Sequence, residues 1–195
     1  MPNESIFFDI ETGGLMMDHP IIQFAAVAVD DQWRELETIE LKIQFDESKA
    51  DAEALKLNHY DAAIWKAKGV HVNEALYRIG NFIDRHKTLQ MVSKRTGKPY
   101  TVAKLCGHNA ATFDGPRLQK MFKDHDKFLA ADPRVRCTVQ RALWWFDEHG
   151  IPPPDNYRLE TLCKYFGIAW PADEAHDALV DVRLTIELAK AMRNK

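Results

Sequence analysis

The chain lacks a long apolar run, is poor in cysteine and carries no excess of basic charge, and each absence removes a class of function. Its longest uninterrupted apolar stretch is Phe24-Ala25-Ala26-Val27-Ala28-Val29, far short of the roughly 20 residues that cross a bilayer, so no membrane association is expected. Cys106, Cys137 and Cys163 are odd in number, widely spaced and without a C-x-x-C pair. They predict reduced thiols in a cytoplasmic compartment and give neither a disulfide scaffold nor a zinc signature. Acidic Glu4 precedes the first apolar run, where an export signal would carry basic residues. Nine glycines and nine prolines in 195 residues exclude a collagenous or mostly disordered chain. A net charge of −3 excludes a globally basic nucleic-acid binder but leaves room for a local basic patch.

What is present, 46% hydrophobic and 28% charged residues, suits one soluble domain over residues 1–195 that buries about 70% of its unfolded surface. Ser5 to Glu11, Ile21 to Asp30 and Thr38 to Phe45 read as strands with short connections, an antiparallel meander. In the third, Ile39, Leu41, Ile43 and Phe45 alternate with Thr38, Glu40, Lys42 and Gln44. Helical periodicity follows in pieces over Glu53 to Trp65, then over His71 to His86. Leu89 to Lys94 and Pro99 to Cys106 predict a basic hairpin within 88–106, turning at Arg95-Thr96-Gly97-Lys98. Further helices are expected from Pro116, over Val139 to His149, over Leu159 to Phe166 and over Asp177 to Met192. Strands followed by mixed elements and then helices predict an α/β fold, a mixed sheet covered by helices.

The chemistry-bearing residues are carboxylates. Period two along the first strand sends Asp9 and Glu11 to one face. Adjacent negative charges repel until a hard divalent cation joins them. Thr12-Gly13-Gly14 then allows close backbone approach to a phosphate. The D-x-E spacing alone selects nothing, since Asp51-Ala52-Glu53 repeats it. Asp114 reads equally as a helix-terminal carboxylate. On one regular helix His176 and Asp181 would lie about 140° apart, so His176 is expected in the loop before a helix that Asp177 begins. Leu179, Val182, Ile186 and Ala189 then form a core stripe away from Asp181. Trp144-Trp145-Phe146 reads as core.

Three segments in order, Phe7-Phe8-Asp9-Ile10-Glu11-Thr12-Gly13-Gly14, Gly107-His108-Asn109 to Asp114, and His176-Asp177-Ala178-Leu179-Val180-Asp181, resemble the motifs of the DEDDh 3′-to-5′ exonucleases, the DnaQ-like proofreading family. Tyr157 to Ile168 resembles the segment that precedes the last motif. The resemblance covers nearly the whole chain and implies an RNase H-like fold. It further implies a single strand of DNA or RNA entering by its 3′ end and release of nucleoside 5′-monophosphates. By that likeness Asp9, Glu11, Asp114 and Asp181 bind two Mg2+ or Mn2+ ions, and His176 is the general base. Leu15 matches an apolar wedge against terminal bases, or is core; Asn109 matches the motif asparagine, or forms a turn. His59 lies near a segment that contacts the terminal nucleotide in relatives, or is a surface histidine. Gly13 belongs to the same substrate-facing set. Val182 departs from the small residue usual after the last aspartate.

From Arg85 to Phe113 no residue is acidic, so Lys94, Arg95 and Lys98 form a candidate arm for the phosphate backbone, or a solvated edge protected by charge. Several relatives are dimers, which makes a homodimer a state the resemblance allows. The chain ends soon after its last helix, without the polymerase-tethering tail of some relatives, and a free-standing enzyme is the expectation. The rivals are a non-catalytic nucleic-acid-binding or polymerase-associated module on the same fold, and an RNase H-like endonuclease.

Overall fold

In the computed structural model residues 3–171 and 177–194 are described. Strands β1 (Ser5–Thr12), β2 (Ile21–Val29) and β3 (Glu35–Lys42) form the antiparallel meander, and β6 (Leu105–Gly107) and β7 (Arg136–Cys137) extend it in parallel on the other side of β1. The order is β3-β2-β1-β6-β7. β2 is buried along its length, as its apolar sequence, interrupted only by Gln23, requires of a strand covered on both faces.

Alternation along β1 separates two cores. Ile6, Phe8 and Ile10 face Leu76, Ile79, Phe82 and Ile83 of α3 (Val72–Arg85) and Leu118 and Phe122 of α4 (Asp114–Asp124). Phe7 on the other face meets Val182, Ile186 and Ala189 of α7 (Ala178–Asn194), with Leu179 packed at the margin. Beyond α7 lie α5 (Thr138–His149) and α6 (Leu159–Phe166), joined to it through Trp145, Phe146, Leu162, Phe166, Leu184 and Leu188. Helix α7 is thus apolar on two sides, against the sheet and against α5 and α6. Among the described residues no helix is long and apolar enough to cross a membrane.

The structure corrects several boundaries. β3 starts and ends three residues earlier than the alternation suggests: Ile43 still donates its N–H to the Ile22 carbonyl at 2.8 Å but also bridges to Val70, and the ladder with β2 goes no further. α4 starts at Asp114, two residues before Pro116, since its first turn tolerates proline at the third position, where the N–H is still unpaired. The arm strands are β4 (Leu89–Val92) and β5 (Pro99–Val102), a ribbon separate from the main sheet. The expected second arm is divided, because buried Ala103 and Lys104 lead the chain into β6 beside Ile6. Two short helices, α1 (Ala52–Leu57) and α2 (Ala62–Lys68), occupy the segment expected to be helical in pieces. Trp144 is surface and only Trp145 and Phe146 are core.

Candidate active site

Asp9 and Glu11 project from the same face of β1 as Phe7, so the contact that seats α7 on Phe7 also brings the start of α7 to the two carboxylates. Asp177 caps that helix, its Oδ1 accepting the backbone N–H groups of Leu179 at 3.0 Å and Val180 at 3.2 Å. Asp181 then lies one residue before Val182, whose side chain is buried against the sheet. Ligand-capable oxygens of Asp9, Glu11 and Asp181 all lie within 4.8 Å of one another.

These carboxyl groups are poorly suited to ionise together. Burial raises Asp9 well above the ordinary carboxylate range, reinforced by the charges of Asp114, Glu11, Asp181 and Asp177. Burial, then Asp181, Asp114 and Asp177, pushes Glu11 up to about 8. Asp181 is pushed up to about 7 by burial and by Asp177. Its Oδ1 is buried without a hydrogen-bond partner. An orphaned carboxylate oxygen facing two further acidic side chains fits a hard divalent cation with oxygen ligands, Mg2+ or Mn2+, and no basic side chain among the described residues fills that role by ion pairing with Asp9, Glu11 or Asp181.

Asp114 stands outside the three-residue group but within its field. It is buried, and burial pushes its carboxyl up to about 7 against the opposing pull of the N–H groups of Asp114 and Ile10 and the charge of Arg117. Arg117 sits three residues on, one turn along the same face of α4. Only 6% exposed, it stacks its guanidinium 3.6 Å from the centre of the Phe113 ring and donates to the carbonyl oxygens of Phe113, at 3.2 Å, and Leu15. A buried cation therefore ties the loop after β1 to the helix that carries Asp114. Sequence reasoning passed over both Arg117 and the charge of Asp177. The available signals were the i,i+3 spacing to Asp114 and a carboxylate adjoining the last motif.

The remaining candidates are spread around this centre. Leu15 is 80% exposed and is not core; Met16 and Met17 beside it are also exposed. Gly13 is buried, and a Cβ there would stand 2.7 Å from Ala50 Cβ, so packing by the protein itself requires the glycine. Asn109 adopts φ +54°, its carbonyl accepts from the Thr112 and Phe113 N–H groups, and its Oδ1 accepts from the Thr112 hydroxyl at 2.8 Å. It is a turn former. His59 is exposed, at φ +50°, just after α1. His108 is half-buried and held neutral, desolvation of its ring pulling it down to about 4. Its Nε2 lies 2.9 Å from the Tyr157 carbonyl, which can only accept, so Nε2 carries the proton and Nδ1 accepts from the Thr138 hydroxyl at 2.8 Å. His176 lies outside the described residues. Lys94, Arg95 and Lys98 are exposed on the β4–β5 turn and are not part of the acidic centre.

No protein-family model matches the chain, and no curated protein matches its sequence. Solved structures do match in fold. Escherichia coli exonuclease I in complex with a dA16 oligonucleotide superposes with a TM-score of 0.74 at 24% identity, over 98% of this chain and 41% of that one. The zinc-bound complex of E. coli ExoI with single-stranded DNA gives 0.76 at 23%, over the same shares. A moderately thermophilic exonuclease I from Methylocaldum szegediense gives 0.73 at 21%, over 98% of this chain and 40% of that one. The chain spans about two fifths of the length of these proteins. At such identities the likeness is one of fold, an RNase H-like mixed sheet covered by helices.

Proposed function

We propose that this chain is a metal-dependent 3′-to-5′ exonuclease that hydrolyses single-stranded DNA or RNA to nucleoside 5′-monophosphates. The observation that carries the reading is the convergence of Asp9, Glu11 and Asp181, with the Asp181 Oδ1 buried and unpaired. Support comes from the fold shared with exonuclease I, whose E. coli form is solved with single-stranded oligonucleotides and with zinc.

When bound, two divalent ions supply charge neutralisation and alignment for in-line displacement at phosphorus. Asp9, Glu11 and Asp181 would hold one of them, and Asp9 with Asp114 would hold the second. His176 takes the proton of the attacking water, a task that suits an imidazole neutral at pH 7. Leu15 packs against the terminal base, with His59 bordering the terminal nucleotide. Arg117 keeps the Leu15 loop at a fixed distance from Asp114.

Incubation with matched linear and circular single strands, as DNA and as RNA, tests the reading. Linear strands are expected to disappear in Mg2+ or Mn2+ and persist in excess chelator, while circular strands survive. Cleavage of circles would make the protein an endonuclease. Binding without turnover in either metal would make it a non-catalytic module. Hydrolysis in excess chelator would remove the metal mechanism.

A further inference from the structure

The β4–β5 ribbon is a second charged feature that the acidic centre does not use. Four residue pairs, Leu89 with Val102 through Val92 with Pro99, hold it together. Its tip is closed internally: Ser93 N–H donates to the Lys98 carbonyl at 2.9 Å and Gly97 N–H to the Ser93 carbonyl at 2.8 Å. Gly97, at φ +67°, would meet nothing within 4 Å if it carried a Cβ, so the tip stands in solvent.

Charge on this stretch is distributed unevenly. Arg85 is paired with Glu37 at 2.5 Å and Lys87 with Asp84 at 2.9 Å, and Lys104 is buried against Asn3. Lys94, Arg95 and Lys98 have no ion pair among the described residues. Three free cations thus share one short turn in a chain of net charge −3, with no acidic residue from His86 to Phe113 to offset them. Exposed Tyr100, paired with Met91, adds an aromatic surface on the adjoining strand.

The root of the ribbon is fixed. Thr88 donates to the Glu4 carbonyl at 3.2 Å, His86 lies between Glu4 and Glu37, and β5 passes into β6, where Leu105 faces Ile6. All of these mark the beginning of β1, whereas Asp9 and Glu11 lie three to five residues further along it, roughly 10–17 Å away at ~3.3 Å per residue.

We infer that the ribbon is a second nucleic-acid contact, which holds the phosphate backbone of a single strand away from the end being hydrolysed. The inference rests on the exonuclease reading for its substrate class and adds a length dependence. At ~3.4 Å per stacked nucleotide, a strand of two or three nucleotides fills the acidic centre without reaching even the root of the ribbon, and the cationic tip, four to five residues farther out, is engaged only by a longer one.

The test compares the full chain with the triple variant Lys94→Ser, Arg95→Ser, Lys98→Ser. Affinity for a labelled 16-nucleotide single strand is measured by fluorescence anisotropy in chelator at 50 and 200 mM salt, where hydrolysis plays no part. Three phosphate contacts at a slope of about 0.7 each make wild-type affinity fall roughly 20-fold more than that of the variant across this range. In Mg2+ the ratio of kcat/KM for the 16-mer to that for a dinucleotide is expected to fall in the variant, with an unchanged melting temperature. Equal affinity and equal salt slope in the two proteins would overturn the inference. So would tighter binding of polyglutamate than of the oligonucleotide, which would assign the ribbon to an acidic protein. If wild type binds through the ribbon but never hydrolyses in metal, the contact stands and the exonuclease reading falls.

Discussion

At the scale of single residues activity and stability make opposite demands on the acidic centre. Asp181 is raised to about 7 in the fold, above its value in an unfolded chain. Between about pH 4 and pH 7 the folded state keeps a proton that the unfolded state has lost, so the metal-free protein loses stability as pH rises through that window. Asp181→Asn carries no such penalty. The metal-free variant is expected to melt several degrees above wild type at pH 8 and level with it near pH 4, while losing roughly 10³-fold or more in kcat. Calorimetry and turnover on the same preparation check both, and a variant less stable at pH 8 would contradict the repulsion. His176→Ala is expected to lower kcat by about 10²- to 10⁴-fold with metal binding intact; near-normal turnover would show that another base serves. Arg117→Ala removes a charged donor of two hydrogen bonds, a loss of about 2–3 kcal/mol that corresponds to a melting point lower by roughly 5–10 °C. The clustering of Asp9, Glu11 and Asp181 was legible only through the resemblance to the exonuclease motifs, because each carboxylate alone reads as a strand-end or helix-surface residue. Arg117 was not, because its partners are backbone carbonyls, which leave no mark on the amino-acid pattern.

Among the elements, α7 carries the heaviest duty, since it is packed on two sides and must still place Asp181. Ile186→Ala opens a cavity against the sheet, expected to cost about 2–5 kcal/mol. Asp177→Ala removes the cap, about 1 kcal/mol, but also removes a negative charge that acts on Asp181 and Glu11. Its destabilisation, read from melting curves without metal, is therefore expected to be larger at pH 5 than at pH 8; equal destabilisation at the two values would show that the cap acts alone, and the reverse order would contradict the repulsion. Elements with strong periodicity were readable, α3 and α6 nearly to the residue. β3 was misplaced because its apolar positions continue through Ile43 to Phe45, past the point where the pairing passes from β2 to Val70. The hairpin arm was drawn too long because β5 and β6 are separated only by Ala103 and Lys104, and nothing local signals that the chain changes sheets there.

For the whole molecule the central statement is that one face of a mixed sheet gathers acidic groups whose mutual repulsion is relieved by protons in the metal-free fold and by a bound cation at higher pH. Mg2+ at about 100 times its dissociation constant adds about 2.7 kcal/mol, expected to raise the melting temperature by roughly 5–10 °C. The gain should grow from pH 6 to pH 8 as Asp181 and Glu11 lose their protons. The most direct measurement is the order of product release from one 16-nucleotide single strand, labelled in separate preparations at its 3′ and 5′ ends, in Mg2+ at pH 8. The account expects the 3′ label to leave first as a nucleoside 5′-monophosphate while the 5′-labelled strand shortens one nucleotide at a time. Release of the 5′ label first, or internal fragments before any mononucleotide, would contradict it.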